Sequence, residues 1–205
     1  MCVNSVEFLG KQVSPSKIVC VGRNYADHAR ELGNDVPTEP VIFMKPNSSI
    51  SSTLSSSHQE ALHYEAELSF LIQNGTLSGV GVGLDLTKRG LQSALKAASL
   101  PWERAKSFDG AAVFSSFVAL DFPLDDLRFT LSVDGVLRQS GETQHMLFSP
   151  NDLLRYISEF STLQDNDIVM TGTPAGVGEL VSGCDYEVTL YAEDVYVLSH
   201  RWCAV

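Results

Sequence analysis

Short apolar runs with strand periodicity dominate this chain. Lys17-Ile18-Val19-Cys20-Val21-Gly22 reads as a buried strand ending on glycine, and Val41-Ile42-Phe43-Met44-Lys45 as another, closed by Pro46. Residues 63–72 alternate: Tyr64, Ala66, Leu68, Phe70 and Ile72 are apolar, while His63, Glu65, Glu67 and Ser69 form the other face. Period two predicts a half-buried strand. Arg128 to Val133 and Val136 to Gln139 flank Asp134-Gly135, a hairpin with a turn dipeptide that accepts positive φ. Asp167 to Met170 and Tyr186 to Tyr191 predict two further strands.

Helical spacing is rarer. Tyr25 to Leu32 opens after Asn24, an N-cap residue, and stops at Gly33. Thr87 to Ala98 is expected to be capped by Asp85 or Thr87 and to end before Pro101. Ser149-Pro150 opens a third helix with Leu153, Leu154, Ile157 and Phe160 at apolar spacing. Many strands and few helices predict a β-rich α+β fold, a rolled sheet or sandwich rather than a doubly wound sheet. Ser48 to Ser57 holds seven serines in ten residues and reads as a surface loop. No repeat or charge block divides the chain, so residues 1–205 are expected to form one domain.

Composition narrows the function classes. Twenty-five Asp and Glu against fourteen Lys and Arg give a net charge of −11, which repels phosphate backbones and argues against a nucleic-acid partner. No run approaches the roughly 18 apolar residues of a membrane span. Met1 to Glu7 lacks the basic start and apolar stretch of a signal peptide. Cys2, Cys20, Cys184 and Cys203 are scattered, which suits free thiols in a cytoplasmic protein.

Four constellations carry candidate chemistry. On a strand, Glu65 and Glu67 point to the same side about 7 Å apart, and a divalent cation relieves their repulsion. With Asp85 they would make a hard-cation site for Mg²⁺ or Mn²⁺; the alternative is an exposed strand face and a helix cap. His28 and Glu31, at i and i+3 on a helix, form either a general-base dyad or a solvated pair. Lys106, in Trp102-Glu103-Arg104-Ala105-Lys106-Ser107-Phe108, is either partly desolvated beside a metal or a surface lysine on a loop. Thr171-Gly172-Thr173-Pro174-Ala175-Gly176-Val177-Gly178 lacks the Gly-Lys-Ser/Thr of a P-loop, yet its hydroxyls and amides can bind a small carboxylate.

Taken in order, these segments resemble the fumarylacetoacetate hydrolase family, in particular its small single-domain members. The matching stretches are 19–28, 39–46, 63–68, 84–87, 101–108, 141–143 and 171–178, so the resemblance covers about Lys17 to about Tyr191. It implies a mixed, rolled sheet with a few short helices, usually in a homodimer, and a lid segment at about 24–35. It implies Mg²⁺ or Mn²⁺ on Glu65, Glu67 and Asp85, His28 and Glu31 as base dyad, Lys106 beside the metal, and Gln92 placing the attacked group or water. Arg23 and Thr173 match substrate-carboxylate contacts. Two departures stand out. Only Ser69 to Leu84 separates the Glu-x-Glu strand from the aspartate, where small members carry a longer stretch with its own helix. Tyr64 also follows His63 where many members have a second histidine.

The activity implied is enolate chemistry on a small 2-oxo acid. Because both His28 and Glu31 are present to activate water, the leading expectation is C–C hydrolysis of an acylpyruvate. The alternatives on the same site are oxaloacetate decarboxylation and isomerisation of a dienoate or of a keto–enol pair. A non-catalytic member that binds a metal or a 2-oxo acid is the third, supported only by the short 69–84 stretch.

Overall fold

The computed structural model describes residues 3–26 and 36–205. His28, Glu31, Cys2 and nearly all of the expected first helix and lid lie outside these residues. Fifteen strands follow in order among the described residues. They are β1 Val6–Phe8, β2 Lys11–Val13, β3 Lys17–Gly22, β4 Val41–Pro46, β5 His63–Tyr64, β6 Ala66–Gln73, β7 Thr76–Asp85 and β8 Ala112–Phe114. Next come β9 Val118–Ala119, β10 Leu127–Val133, β11 Val136–Glu142, β12 Ile168–Met170, β13 Gly178–Glu179, β14 Asp185–Ala192 and β15 Val195–Cys203. The described helices are Arg89–Ala97, Glu103–Lys106 and Pro150–Ser158.

The larger sheet runs β4-β3-β12-β6-β7-β8, with β9 also paired to β7. It is mixed, because β12 lies parallel to β3 and antiparallel to β6. A four-stranded antiparallel sheet, β11-β10-β14-β15, covers one of its faces. The main core lies between them: Ala66, Leu68 and Phe70 of β6 and Val80, Val82 and Leu84 of β7 meet Phe129, Leu131, Val188 and Leu190. This is the β-rich, rolled α+β architecture that the sequence pattern predicts.

Four expectations change. The alternation over 63–72 is real, but the strand is not half-buried: β6 is buried over its first seven residues, including Glu67 and Ser69. Both its faces are covered: Ala66, Leu68 and Phe70 pack against the second sheet, and Leu71 on the other side joins a buried cluster with Val6, Ile18 and Phe117. Neither Asp85 nor Thr87 caps the second helix. The Glu60 carboxylate accepts from Gly90 and Leu91 N–H at 3.1 and 3.3 Å instead, which leaves the Asp85 carboxylate free to face the sheet interior. Phe160 is exposed, because its helix ends at Ser158. The serine-rich stretch is no simple surface loop, since it drives Ile50 and Leu54 into the core and buries Ser49.

The sequence pattern places Asp85 where a strand meets a helix but does not delimit β7, and it misses β15 altogether. In β7, Gly79, Gly81 and Gly83 break the apolar run, and their lack of side chains is what lets aromatic rings settle against the strand. A methyl on Gly83 would stand 2.7 Å from the Phe114 ring. The short 69–84 stretch is the β6–β7 hairpin itself, closed by Asn74 and Gly75 at φ 51° and 72°.

In β10 and β11, Phe129 sits directly opposite Gly141, and its ring occupies the space a Gly141 side chain would need. Gly141→Ala is therefore expected to cost about 1–3 kcal/mol through overpacking. A urea titration would show a lower midpoint with an unchanged slope.

Candidate active site

The β6–β7 register builds the centre of the site. Asp85 N–H donates to Glu65 O at 2.8 Å, and Glu67 lies opposite Gly83. These pairings bring Glu65 and Asp85 side by side, with Glu67 two residues along on the same side. Oxygen atoms of the three carboxylates lie within 4.8 Å of one another, and all three residues are buried. The reading of an exposed strand face is thus excluded.

Cations from three other elements meet these carboxylates. Lys106, at the end of its short helix, is 1% exposed, so it is not a surface lysine. Its ammonium donates to Glu65 Oε2 and Asp85 Oδ2, both at 2.7 Å, and to Thr87 Oγ1 at 2.6 Å. Lys45 of β4 is also fully buried; its Nζ stands 2.8 Å from Asp85 Oδ1 and donates to the Lys106 carbonyl. Arg89 pairs with Glu65 and donates to Gln92 Oε1 at 2.8 Å. Burial pulls the Lys106 amine down, but Asp85 and Glu65 outweigh it and hold the ammonium above the usual lysine range.

Glu67 differs from its neighbours. Its carboxylate accepts from Gly172 N–H at 2.7 Å, and no described ion pair reaches it. Burial, then Asp85 and Glu65, push its carboxyl well above the usual range, against the pull of Lys106 and the Gly172 amide. A buried carboxylate converging on two others without a cation of its own fits a divalent ion. Three hard oxygen donors suit Mg²⁺ or Mn²⁺ rather than a soft metal. Glu65, Glu67 and Asp85 are the residues that can hold it.

The cleft above encloses about 380 Å³, solvent at its mouth included, which is near the small end for ligand sites. Its lining brings together Arg23, Gln92, Lys106 and Thr173 with the three carboxylates. Three cationic residues at the site are not singled out by the sequence: Arg89 and Lys96, which line the cleft, and Lys45, which lies beneath it on Asp85. Arg89 and Lys96 stand on the helix Arg89–Ala97 with Gln92, at the i, i+3 and i+7 positions of one helix face; that spacing around Gln92 is the signal that could have found them. Lys45 carries no such signal, because only burial gives it meaning. Lys96 Nζ lies 4.9 Å from the centre of the Trp102 ring. Burial, with Arg23 and Arg89 adding to it, lowers the Lys96 amine to about 8. Arg23 itself takes φ 60°, an uncommon conformation for a side-chain-bearing residue.

The comparisons agree with this geometry. The fumarylacetoacetate (FAA) hydrolase C-terminal family profile matches residues 17–201, and the chain belongs to that family. It is 42% identical over 200 residues to a mitochondrial oxaloacetate tautomerase of Arabidopsis thaliana, covering 89% of each chain. It is 41% identical over 188 residues to a mitochondrial oxaloacetate decarboxylase of Dictyostelium discoideum, covering 82% of this chain and 85% of that one. A solved structure from Oleispira antarctica superposes with TM-score 0.93 at 37% identity, over 98% of this chain and all of that one. A fumarylpyruvate hydrolase of Pseudomonas aeruginosa, solved with Mn²⁺ and pyruvate, superposes at 0.86 with 29% identity, over 98% and 95% of the two chains. No described helix is long and apolar enough to cross a membrane.

Two outcomes test the electrostatics. Lys106→Met leaves Glu65 and Asp85 short of a buried partner, so metal-free protein is expected to lose about 3–5 kcal/mol. Mn²⁺ should then raise the melting temperature of this variant more than that of the wild type in a thermal shift assay. Separately, Arg23→Ala should raise the Lys96 pKa from about 8, read by NMR titration of ¹³C-dimethylated lysines; an unchanged Lys96 resonance would refute the coupling.

Proposed function

We propose that the protein is a divalent-metal-dependent enzyme acting on oxaloacetate, interconverting its keto and enol forms. The observation that carries this reading is the division of charge in one small cleft. Carboxylates balanced by Lys45, Lys106 and Arg89 form its floor, while Arg23 and Lys96 stand free of described ion pairs at its lining. A substrate with two carboxylates matches that excess of positive charge better than one with a single carboxylate. The relatives named for oxaloacetate chemistry support the choice.

A Mg²⁺ or Mn²⁺ held by Glu65, Glu67 and Asp85 would supply Lewis acidity to a 2-oxo acid. The chain's own groups do the rest. Thr173 and the neighbouring loop amides orient the carboxylate next to the keto group. Lys106, fixed by three acceptors, holds its charge toward the oxygen on which negative charge develops, without reorganising. Gln92, its carbonyl oxygen taken by Arg89, keeps its amide hydrogens to direct into the cleft. Arg23 and Lys96 pair with the distal carboxylate. Ion pairing of that group stabilises it in the ground state and resists loss of CO₂, so proton exchange between C3 and the C2 oxygen is favoured over decarboxylation.

Acylpyruvate hydrolysis is the second reading. It is favoured by the likeness to the fumarylpyruvate hydrolase bound to Mn²⁺ and pyruvate. Its water-activating pair, His28 and Glu31, falls outside the described residues. Membership of a homodimer and a lid over the cleft belong to the same proposal.

A spectrophotometric assay of oxaloacetate enol decay, with pyruvate release followed in parallel, separates these readings. Metal-dependent enol decay, abolished by EDTA and with little pyruvate, is expected; turnover of acetylpyruvate alone would select the hydrolase. Lys96→Met should raise KM for oxaloacetate about tenfold, the loss of one charged contact, and leave KM for the monocarboxylate acetylpyruvate nearly unchanged. The Lys96 ammonium is present below its pKa and neutral above it. For oxaloacetate, kcat/KM should therefore fall as pH rises through about 8, and Lys96→Met should lose that limb of the profile.

A further inference from the structure

Strand β11 belongs to the second sheet and lends the cleft no lining residue, yet one of its side chains reaches both halves of the site. β11 alternates, so Gln139 and Gly141 face inward while Arg138 and Ser140 face out. An inward position on a sandwich strand ordinarily holds an apolar residue, and burying a carboxamide there is costly unless it is hydrogen-bonded. Gln139 is 1% exposed and uses three of its bonding positions. Its Oε1 accepts from Ala66 N–H at 3.0 Å. Its Nε2 donates to Thr173 Oγ1 at 2.8 Å and to Pro174 O at 2.9 Å.

Each partner sits at a meaningful place. Ala66 lies between Glu65 and Glu67 and opens β6, one residue after the junction with β5. Thr173 and Pro174 belong to the loop that also carries Gly172, the N–H donor to Glu67. That loop lies flush on β11: Gly176, at φ 98°, leaves no room for a methyl against the Arg138 carbonyl.

We infer that Gln139 is a positioning residue that sets the Thr173 hydroxyl, through Nε2, against the Glu65-Ala66-Glu67 segment, through Oε1. The inference rests on the proposed reading that the carboxylate cluster binds a divalent ion and Thr173 the substrate carboxylate. Gln139 touches neither ligand directly. Because the two ends of one amide serve the two halves, its substitutions separate them. Gln139→Glu keeps an acceptor for Ala66 N–H and loses at least one donated bond; Gln139→Met loses all three.

The test is calorimetry of Mn²⁺ and then of oxalate on the Mn²⁺-loaded protein, with KM for oxaloacetate in parallel, on wild type, Q139E, Q139M, T173V and Q139E/T173V. Q139E is expected to keep the Mn²⁺ Kd within about twofold while oxalate Kd and KM rise about 3–10-fold, the loss of one or two hydrogen bonds. Q139M should raise the Mn²⁺ Kd about tenfold as well, the usual effect of losing a group that orients metal ligands. The double variant should bind oxalate no worse than T173V, since Gln139 acts through that hydroxyl. Additive losses in the double variant, equal losses of Mn²⁺ and oxalate in Q139E, or unfolding of Q139E would overturn the inference and leave Gln139 a structural residue. Wild type that binds Mn²⁺ and oxalate but turns over no oxaloacetate would instead overturn the proposed reaction, with the Kd pattern still deciding on Gln139.

Discussion

Three carboxylates buried within one small volume are the constraint around which this fold is organised. Each would be prohibitively costly to bury alone, and together they repel. The chain answers with Lys106 bridging Glu65 and Asp85, Lys45 on Asp85 and Arg89 on Glu65, drawn from a short helix, an outer strand and a longer helix. The Trp102-to-Lys106 turn, the β3–β4 pairing and the helix after β7 therefore all bear on one charge cluster. Such ion pairs add little net stability compared with apolar packing, whereas breaking one is expensive. Their retention in the middle of a sheet points to chemistry.

The cluster also orders the field in the cleft. A chain with net charge −11 disfavours the approach of an anionic substrate over most of its surface. Arg23 and Lys96 reverse that sign locally, and Trp102 places an aromatic face under Lys96. The polarity of the cleft, charge-balanced at its floor and cationic at its lining, distinguishes ends of a small ligand that size alone would not.

The second sheet is more than a cover for the core. Phe129 against Gly141 fixes the spacing of β10 and β11, and the next inward residue, Gln139, meets the segment that holds the carboxylates. Asn24 performs a related task at the other edge, with its amide donating to Thr171 O at 2.8 Å and Phe148 O at 3.0 Å. The loop after β12 is thereby held from both sides by side-chain amides rather than by a ladder of its own.

The local pattern of the chain determined the strands β3, β4, β10, β12 and β14 and the helix opened by Ser149, because period and turn dipeptides are properties of neighbouring residues. Glu65, Glu67, Asp85, Lys106 and the Thr-Gly-Thr-Pro loop were legible as chemistry because they stand in recognisable order. What the sequence by itself did not determine was burial. The polar side of β6 looks solvated until the loop carrying Gly172 and the helix carrying Lys106 close over the carboxylates; Asp85 looks like a cap until Glu60 takes the helix amides. Lys45, Lys96 and Gln139 gain their meaning from partners 34 to 73 positions away, or from an aromatic ring brought beside them. Those pairings are decided by sheet order and crossover, which only the tertiary structure supplies, since a side chain's charge state and hydrogen bonds depend on what surrounds it in space rather than on what adjoins it in the chain.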